Sequence, residues 1–385
     1  MRVLLAPDGF GGTLSPRQAA AALAQGWASA APADTLDLAP LSDGGPGLLD
    51  VLSAALPGAV LQPAPVQDPL GRPVEAAVLL HGSTAYVEAA MACGLHLLTE
   101  RERDPKVTTT YGVGQLVSRA LDVGATRIVV GLGGSASNDG GAGLLAALGV
   151  PSVDAEGERL GPGGVALRTL ARLAGRPDPR LAAVELVAAS DVDSPLLGLR
   201  GASNVFGPQK GATPHDVALL DGALTRWADV LEAYLEVAVR DQPGAGAAGG
   251  LGAALLALGA RREPGIELVQ GLVGLADRVA QADLVVTGEG TFDFSSLSGK
   301  VVSGVAALAA EHAVPCLVLA GAVRVGRREA AAAGVEATYS LVESVGVEAA
   351  LNHPAQELAA LAARVARQWS RPVRATVEGS GPTQR

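Results

Sequence analysis

Three stretches of this chain set carboxylates, lysines and small hydroxyls among glycines. The longest is Gly131-Leu132-Gly133-Gly134-Ser135-Ala136-Ser137-Asn138-Asp139-Gly140-Gly141, between an apolar run and a helical pattern. Glycine lets backbone approach a ligand closely, and successive N–H groups at a helix start favour an anion. The competing local role makes Asn138 and Asp139 helix caps and nothing more. The second stretch is Ala189-Ser190-Asp191-Val192-Asp193-Ser194, followed by Phe206-Gly207-Pro208-Gln209-Lys210-Gly211. The third is Gly288-Glu289-Gly290-Thr291-Phe292-Asp293, with Gly299-Lys300 opening a helix. Carboxylates at strand ends are where α/β enzymes place chemistry; turn aspartates beside a solvated lysine are the plainer reading.

Lysine usage favours chemistry. Of 29 basic residues only Lys106, Lys210 and Lys300 are lysine, and two of these three stand in glycine loops. A compact ammonium on a phosphate is a role that arginine's planar fork does not reproduce. Aspartates on glycine turns, two lysines and helix starts together suit phosphoryl transfer, which is mainly positioning and charge neutralisation. The third loop is no Walker A sequence, because no glycine stands five residues before Gly299. No cluster matches GxGxxG with an acidic residue about 20 positions on, which speaks against a nicotinamide dehydrogenase. A hydrolase would need a nucleophile with an adjacent base, and no histidine lies near these motifs in the sequence.

The elements that must hold these loops alternate β and α. RVLLAP at 2–7 reads as a buried parallel strand, and Ser15-Pro16-Arg17-Gln18 as a helix start with a capping box. A strand at 34–40, the turn Ser42-Asp43-Gly44-Gly45 and a helix to about Ala55 follow. From 58 to 90 short extended runs without intervening helices read as an antiparallel group opening a second domain. Expected next are helix 112–123, strand 127–131, helix 139–148, strand 183–189 and a long helix from Pro214 to Val239. After 281 the β-α alternation returns and runs to a helix ending near Trp369. The pattern predicts an α/β protein in which 1–64 and 281–373 form one domain, 65–280 is inserted, and 374–385 is a frayed tail.

Composition narrows the class. The chain has 385 residues, 50 of them glycine, with 49% hydrophobic and 18% charged residues, so neither collagen nor disorder fits. The most apolar stretch, 244–260, carries six glycines and reads as a glycine loop feeding a buried helix, too short and weak to span a membrane. A net charge of −10 argues against a nucleic-acid partner. Cys93 and Cys316 read as buried thiols of a reducing compartment, and the start MRVLLAPDGF as no signal peptide, so a cytoplasmic location is expected. The five histidines lack HxxxH or HExxH spacing, and no zinc site is expected.

On these residues the sequence resembles the bacterial glycerate kinases of the first type. APDGFGGTLS, PLSDGGPG, TTTYGVG, GLGGSASNDGGAG, ASDVDSPLLGLRGASNVFGPQKGA, GAGAAGGLGA and GEGTFDFSSLSGK match family motifs in order across nearly the whole chain. The resemblance implies two α/β domains, one a flavodoxin-like doubly wound parallel sheet, with the active site in the cleft. It also implies ATP- and Mg²⁺-dependent phosphorylation of D-glycerate, usually to 2-phosphoglycerate. Asp191, Asp43, Asp293 and Lys300 become catalytic candidates, with Asp191 as proton acceptor or substrate anchor. Asp8, Gly44, Gly45, Gly133, Gly134, Ser135, Asn138, Lys210, Gly288, Glu289 and Gly290 become candidates for holding substrate and phosphates. Asp139 and Asp191 become candidates for Mg²⁺. The expected partners are a small hydroxy acid and ATP, with no nucleic acid and no membrane, and a homodimer is the assembly considered. Several positions depart from the pattern: Gly9 and Gly11 replace serine and lysine, Pro46 glutamate, Thr291 arginine and Ser295 glutamine. These leave open a kinase for another small hydroxy acid, or a homologue that binds without efficient turnover.

Overall fold

A computed structural model describes residues 1–297 and 299–370; the expected frayed tail at 374–385 lies outside the described residues. Five parallel strands form one sheet, ordered Thr35–Leu38, Arg2–Leu5, Leu284–Thr287, Cys316–Ala320 and Ala337–Ser340 across it. In chain order this is 2-1-3-4-5, the flavodoxin-like doubly wound arrangement. The central strands are continuous apolar runs because both their faces are buried. Val3, Leu5, Val286 and Leu319 face Leu23, Trp27 and Leu361, while Leu4, Val285 and Val318 face Leu52, Val302 and Val305. The helix Pro16–Ala30 starts with the expected capping box, Ser15 and Gln18 each receiving the other's backbone N–H.

The second sheet has six strands, ordered Arg261–Glu263, Glu185–Ala189, Arg127–Gly131, Thr84–Glu88, Pro73–His81 and Val60–Gln67. The three segments between 60 and 88 pair antiparallel, as their spacing predicts, and the other pairings are parallel. One face packs Val87, Ile128, Val130 and Leu186 on Leu116, Trp227 and Leu251. The other face, with Leu79, Tyr86, Val129 and Val187, shares a core with Leu4, Leu48, Leu52 and Val285 of the first sheet's layer. The helix Leu48–Ala55 contributes to this shared core. The expected boundary at 64 falls inside the strand Val60–Gln67, which lies wholly in the second sheet. The helices Gly265–Leu272 and Leu275–Ala280 also join the shared core, through Ile266, Val269, Leu275 and Val279.

Two helices differ from expectation for local reasons. The one predicted over 139–148 runs Ala142–Ala147, because Gly140 and Gly141 take positive φ (64° and 79°). The long helix ends at Leu235, where Glu236 turns left-handed at φ 55°. The apolar stretch at 244–260 gives the buried helix Ala247–Ala257, whose first turn is left-handed from Ala248 to Gly250. Among the described residues, no helix is long and apolar enough to cross a membrane.

Candidate active site

Loops at the C-terminal ends of both sheets' parallel strands meet. After Arg2–Leu5 comes Asp8, after Thr35–Leu38 the turn Ser42–Gly47, and after Leu284–Thr287 the loop Gly288–Lys300. Opposite stand Gly131–Gly134, Ser190–Ser194 and the start of the helix Gly265–Leu272. Glycine makes the approach feasible. A Cβ on Gly133 would overlap the backbone of Gly45, and one on Gly131 or Gly265 the backbone oxygen of Gly44 or Asp43. The motifs are thus spacers between two layers.

Asp43 is the electrostatic centre. Its backbone N–H neighbour Gly45 donates to its Oδ1 at 3.0 Å, which fixes the carboxylate on the turn. Burial and the Asp43 charge push Asp191 up to about 7, against backbone N–H groups of Ile266 and Gly265. The Ile266 N–H lies 3.2 Å from Asp191 Oδ2. Asp8 is raised well above the carboxylate range by burial, then by Asp43. Burial pushes Glu289 up to about 7, with Ser296 and Lys300 pulling the other way. Glu289 Oε1 is buried without a hydrogen-bond partner. The meeting loops therefore collect more carboxylates than cations.

Lys300 is the ammonium that answers them. Its Nζ donates to Ser295 Oγ at 2.8 Å, and Ser295 Oγ donates to Asp293 Oδ1 at 2.7 Å. Asp293 is held below the usual carboxylate range, chiefly by Ser295. Ser295, one of the departing positions, is thus wired between two candidate residues. Pro46, another, lies against Gly134, whose lack of a Cβ leaves room for the ring. Gly9 stands near the Pro16 ring, while Gly11 (φ 54°) has nothing within 4 Å of where a side chain would begin. Thr291 is tied into a short two-strand ribbon with Ala322. Gly288 and Gly290 pack their backbones against Leu319 and Gly11.

Three expected residues are buried away from these meeting loops. Asp139, expected among the Mg²⁺ ligands, is 1% exposed and accepts from five donors. These are the Thr109 and Thr110 hydroxyls and the N–H groups of Thr110, Gly141 and Gly143. Both its oxygens are committed to shaping the glycine loop, which leaves none for a metal. Lys210, expected on a phosphate, is 2% exposed and donates to Ser135 Oγ (3.0 Å) and the Ser137 carbonyl (2.7 Å). Burial pulls its pKa down to about 8. Asn138 is buried and donates to Ser203 Oγ. All three brace the glycine loop from behind. Asp139→Ala should lower unfolding free energy by about 3–4 kcal/mol, because five donors lose their acceptor. Urea unfolding measures this, and a loss under about 1 kcal/mol would contradict the bracing role.

The structure also adds residues that the motifs do not reveal. Glu88 ends the strand Thr84–Glu88 and accepts from the N–H groups of Gly47 (3.1 Å) and Leu49 (3.2 Å), pinning the Asp43 turn to the second sheet. Its place at a strand end is a signal the sequence carries, though outside a glycine run. Arg262 pairs with Asp193 at 2.7 Å and donates to the Ser190 carbonyl, holding the loop that carries Asp191. The fold also brings one histidine to a motif: His96 lies against Gly94, which bridges to Ser135. The sequence separation hides that contact.

The profile of the Glycerate kinase family matches residues 3–370. The chain belongs to that family. It is 42% identical over 361 residues to a glycerate kinase of Bacillus subtilis, covering 92% of this chain and 94% of that protein. It is also 42% identical over 350 residues to a glycerate 2-kinase of Escherichia coli, covering 90% and 92%. A crystal structure given the provisional name glycerate kinase 2, from Salmonella typhimurium LT2, superposes with a TM-score of 0.76 at 40% identity, over 96% of this chain and 98% of that one. Gly11, Pro46 and Ser295, expected to depart from the family pattern, all lie outside the buried cores.

Proposed function

We propose that this chain transfers the γ-phosphoryl group of ATP to D-glycerate, giving 2-phosphoglycerate, in the cleft between the two sheets. The observation that carries the reading is the meeting of Asp8, Asp43, Asp191, Glu289 and Lys300 from loops of both layers in a glycerate kinase family member. We further propose two domains, with the inserted one beginning at the strand Val60–Gln67 rather than at 65.

Asp191 takes the proton of the attacking hydroxyl. A carboxylate that titrates near 7 is well matched to that task at neutral pH. Its oxygens are oriented by the N–H groups that open the helix Gly265–Leu272. Lys300 offers its ammonium to the transferring phosphoryl oxygens, and Ser295 holds it in place meanwhile. The glycines of Gly44–Gly45, Gly133–Gly134 and Gly288–Gly290 keep side chains out of the path of a phosphate chain. Glu289, half-protonated near pH 7, supplies either a proton or an acceptor to a ligand hydroxyl.

The donor set suits a hard divalent cation: Asp8 is raised by burial and then by the neighbouring charge of Asp43, a repulsion that such an ion relieves. Among the described residues no three His, Cys, Asp or Glu side chains converge as a metal cage. Mg²⁺ needs only one or two carboxylates and completes its shell with water and phosphate oxygens. Asp8 and Asp43 are the residues that would hold it. Bound there, Mg²⁺ supplies charge neutralisation for the phosphates.

A second reading, a kinase for another small hydroxy acid, is favoured by the open space beside Gly11, where the family pattern has a lysine. One experiment separates the two. ADP release and ³¹P NMR of the product are followed with ATP, Mg²⁺ and either D-glycerate or a panel of 2- and 3-hydroxy acids. We expect D-glycerate to give the highest kcat/KM and a 2-phosphoglycerate signal. Preference for another acid selects the second reading, and no turnover above background at high enzyme with any acid sinks both.

A further inference from the structure

The strand Cys316–Ala320 ends on the same side of its sheet as the strands that lead to Asp8, Asp43 and Glu289. The segment after it, 321–324, is laced to the loop Gly288–Lys300. The N–H groups of Gly321, Ala322 and Arg324 donate to the carbonyls of Glu289 (3.0 Å), Gly290 (3.0 Å) and Phe292 (2.8 Å). Thr291 pairs with Ala322 and Phe292 with Val323, in parallel. Side chains alternate between the two faces of such a ribbon. Phe292 is buried, and Val323 packs with it into the shared core. Thr291, Asp293, Ala322 and Arg324 therefore stand on the opposite face. Thr291, one of the positions that depart from the family pattern, adds only a short side chain there.

Arg324 is exposed, and its guanidinium makes no hydrogen bond or ion pair among the described residues. Asp293 is its neighbour on this face, and opposite charges at such positions attract. Yet the carboxylate is met by Ser295, whose N–H (2.8 Å) and hydroxyl (2.7 Å) both donate to Asp293 Oδ1. The arginine is left for another anion. The proposed reaction brings two kinds of anion together, the phosphates and the carboxylate of the hydroxy acid. Lys300 serves the transferring phosphoryl oxygens, and Arg262 on the facing loop is already paired with Asp193 at 2.7 Å. That leaves the acid's carboxylate without a cation among Asp8, Asp43, Asp191 and Glu289. A planar guanidinium meets a carboxylate with two parallel N–H groups.

We propose that Arg324 holds the carboxylate of the hydroxy acid and so selects acids over uncharged alcohols. The identity of this ligand rests on the phosphoryl-transfer reading above; the unpaired cation beside Asp293 does not. Arg327 and Arg328 are equally exposed and likewise make no ion pair among the described residues, but they belong to the helix Arg327–Ala332, beyond the ribbon. They serve as controls for a diffuse positive field.

The test measures steady-state kinetics of the full chain with ATP and D-glycerate varied in turn, in the parent, Arg324→Ala, Arg324→Lys and the double variant Arg327→Ala/Arg328→Ala. Arg324→Ala should raise KM for D-glycerate about 10- to 100-fold, the loss of a charged hydrogen bond, with KM for ATP within about threefold of the parent. Arg324→Lys should recover part of the loss, and the double variant should match the parent. With the uncharged D-glyceramide in place of the acid, the parent should prefer the acid and Arg324→Ala should lose most of that preference. Urea unfolding midpoints should coincide, because the Arg324 side chain has no partner to lose. A KM for D-glycerate within about threefold of the parent in Arg324→Ala, a rise in KM for ATP alone, or an equal loss in the double variant overturns the assignment. Turnover by the parent then still upholds the kinase reading. If the parent turns over no acid, calorimetric titration with D-glycerate decides. Weaker binding by Arg324→Ala than by the parent upholds the carboxylate site, and equal binding, or none at millimolar concentration, overturns it.

Discussion

Asp191→Asn is expected to lower kcat with D-glycerate by about 10²- to 10⁴-fold, the range for removing a positioned general base. The amide keeps the shape and can still meet one N–H of the helix Gly265–Leu272, but it cannot take a proton. The parent enzyme should gain activity as pH rises through about 7, where burial and Asp43 place the loss of the Asp191 proton; in the variant that limb should vanish. A variant within threefold of the parent, or a parent profile flat from pH 5.5 to 8.5, would remove Asp191 from the proton transfer.

The same substitution carries a stability signature of opposite sense. Asp191 titrates higher in the folded chain than the ordinary 3.8, so between about 4 and 7 the folded state binds the extra proton. Its contribution is therefore fully present below that window and is lost as pH rises through it. An ionised carboxylate shifted this far would disfavour the fold by up to about 4 kcal/mol. Screening at a half-buried site reduces this to ~2 kcal/mol. Urea unfolding should then show Asp191→Asn more stable than the parent at pH 8 and nearly equal at pH 4. Lost activity with gained stability is what a charge held for function, rather than for folding, produces.

Lys300→Met is the second large effect. In the proposed reaction the exposed ammonium turns from Ser295 Oγ toward a phosphate, so its loss should lower kcat/KM by about 10²- to 10³-fold. Lys300→Arg should recover only part of this, since a planar fork does not reproduce a point charge. The fold should tolerate both changes, because the Lys300–Ser295 contact is at the surface. Steady-state kinetics with ATP and glycerate varied in turn would detect the loss. Unchanged kcat and KM in Lys300→Met would take the lysine out of the phosphate site. Lys210 is a different case: with its donors on Ser135 and Ser137, substitution there acts on the loop's shape.

Much of this molecule was legible from its residues in order. Unbroken apolar runs such as LVVT at Leu284–Thr287 mark strands buried on both faces. The Ser15–Gln18 box and Pro16 mark a helix start, and short extended runs from 58 to 90 mark the antiparallel group. These are effects of neighbours within a few positions, which a sequence states directly. Glycine loops with carboxylates, together with the ordered motifs, also led to the right family.

The environment of each carboxylate was decided elsewhere. Asp139 and Asp191 are alike in sequence, each an aspartate shortly after a strand in a run of small residues. Thr109 and Thr110, some 30 positions away, enclose Asp139 with hydroxyl and amide donors and make it a brace. Burial, and then the like charge of Asp43 from far earlier in the chain, raise Asp191 instead. Lys210 and Lys300 divide in the same way, one sealed behind the glycine loop and the other at the cleft. Whether a charged group is buried, paired or opposed depends on residues that only the folded chain brings within a few ångströms. Local sequence determined the strands, the caps and the inventory of chemical groups; the packing of one sheet's loops on the other's determined which of those groups can react.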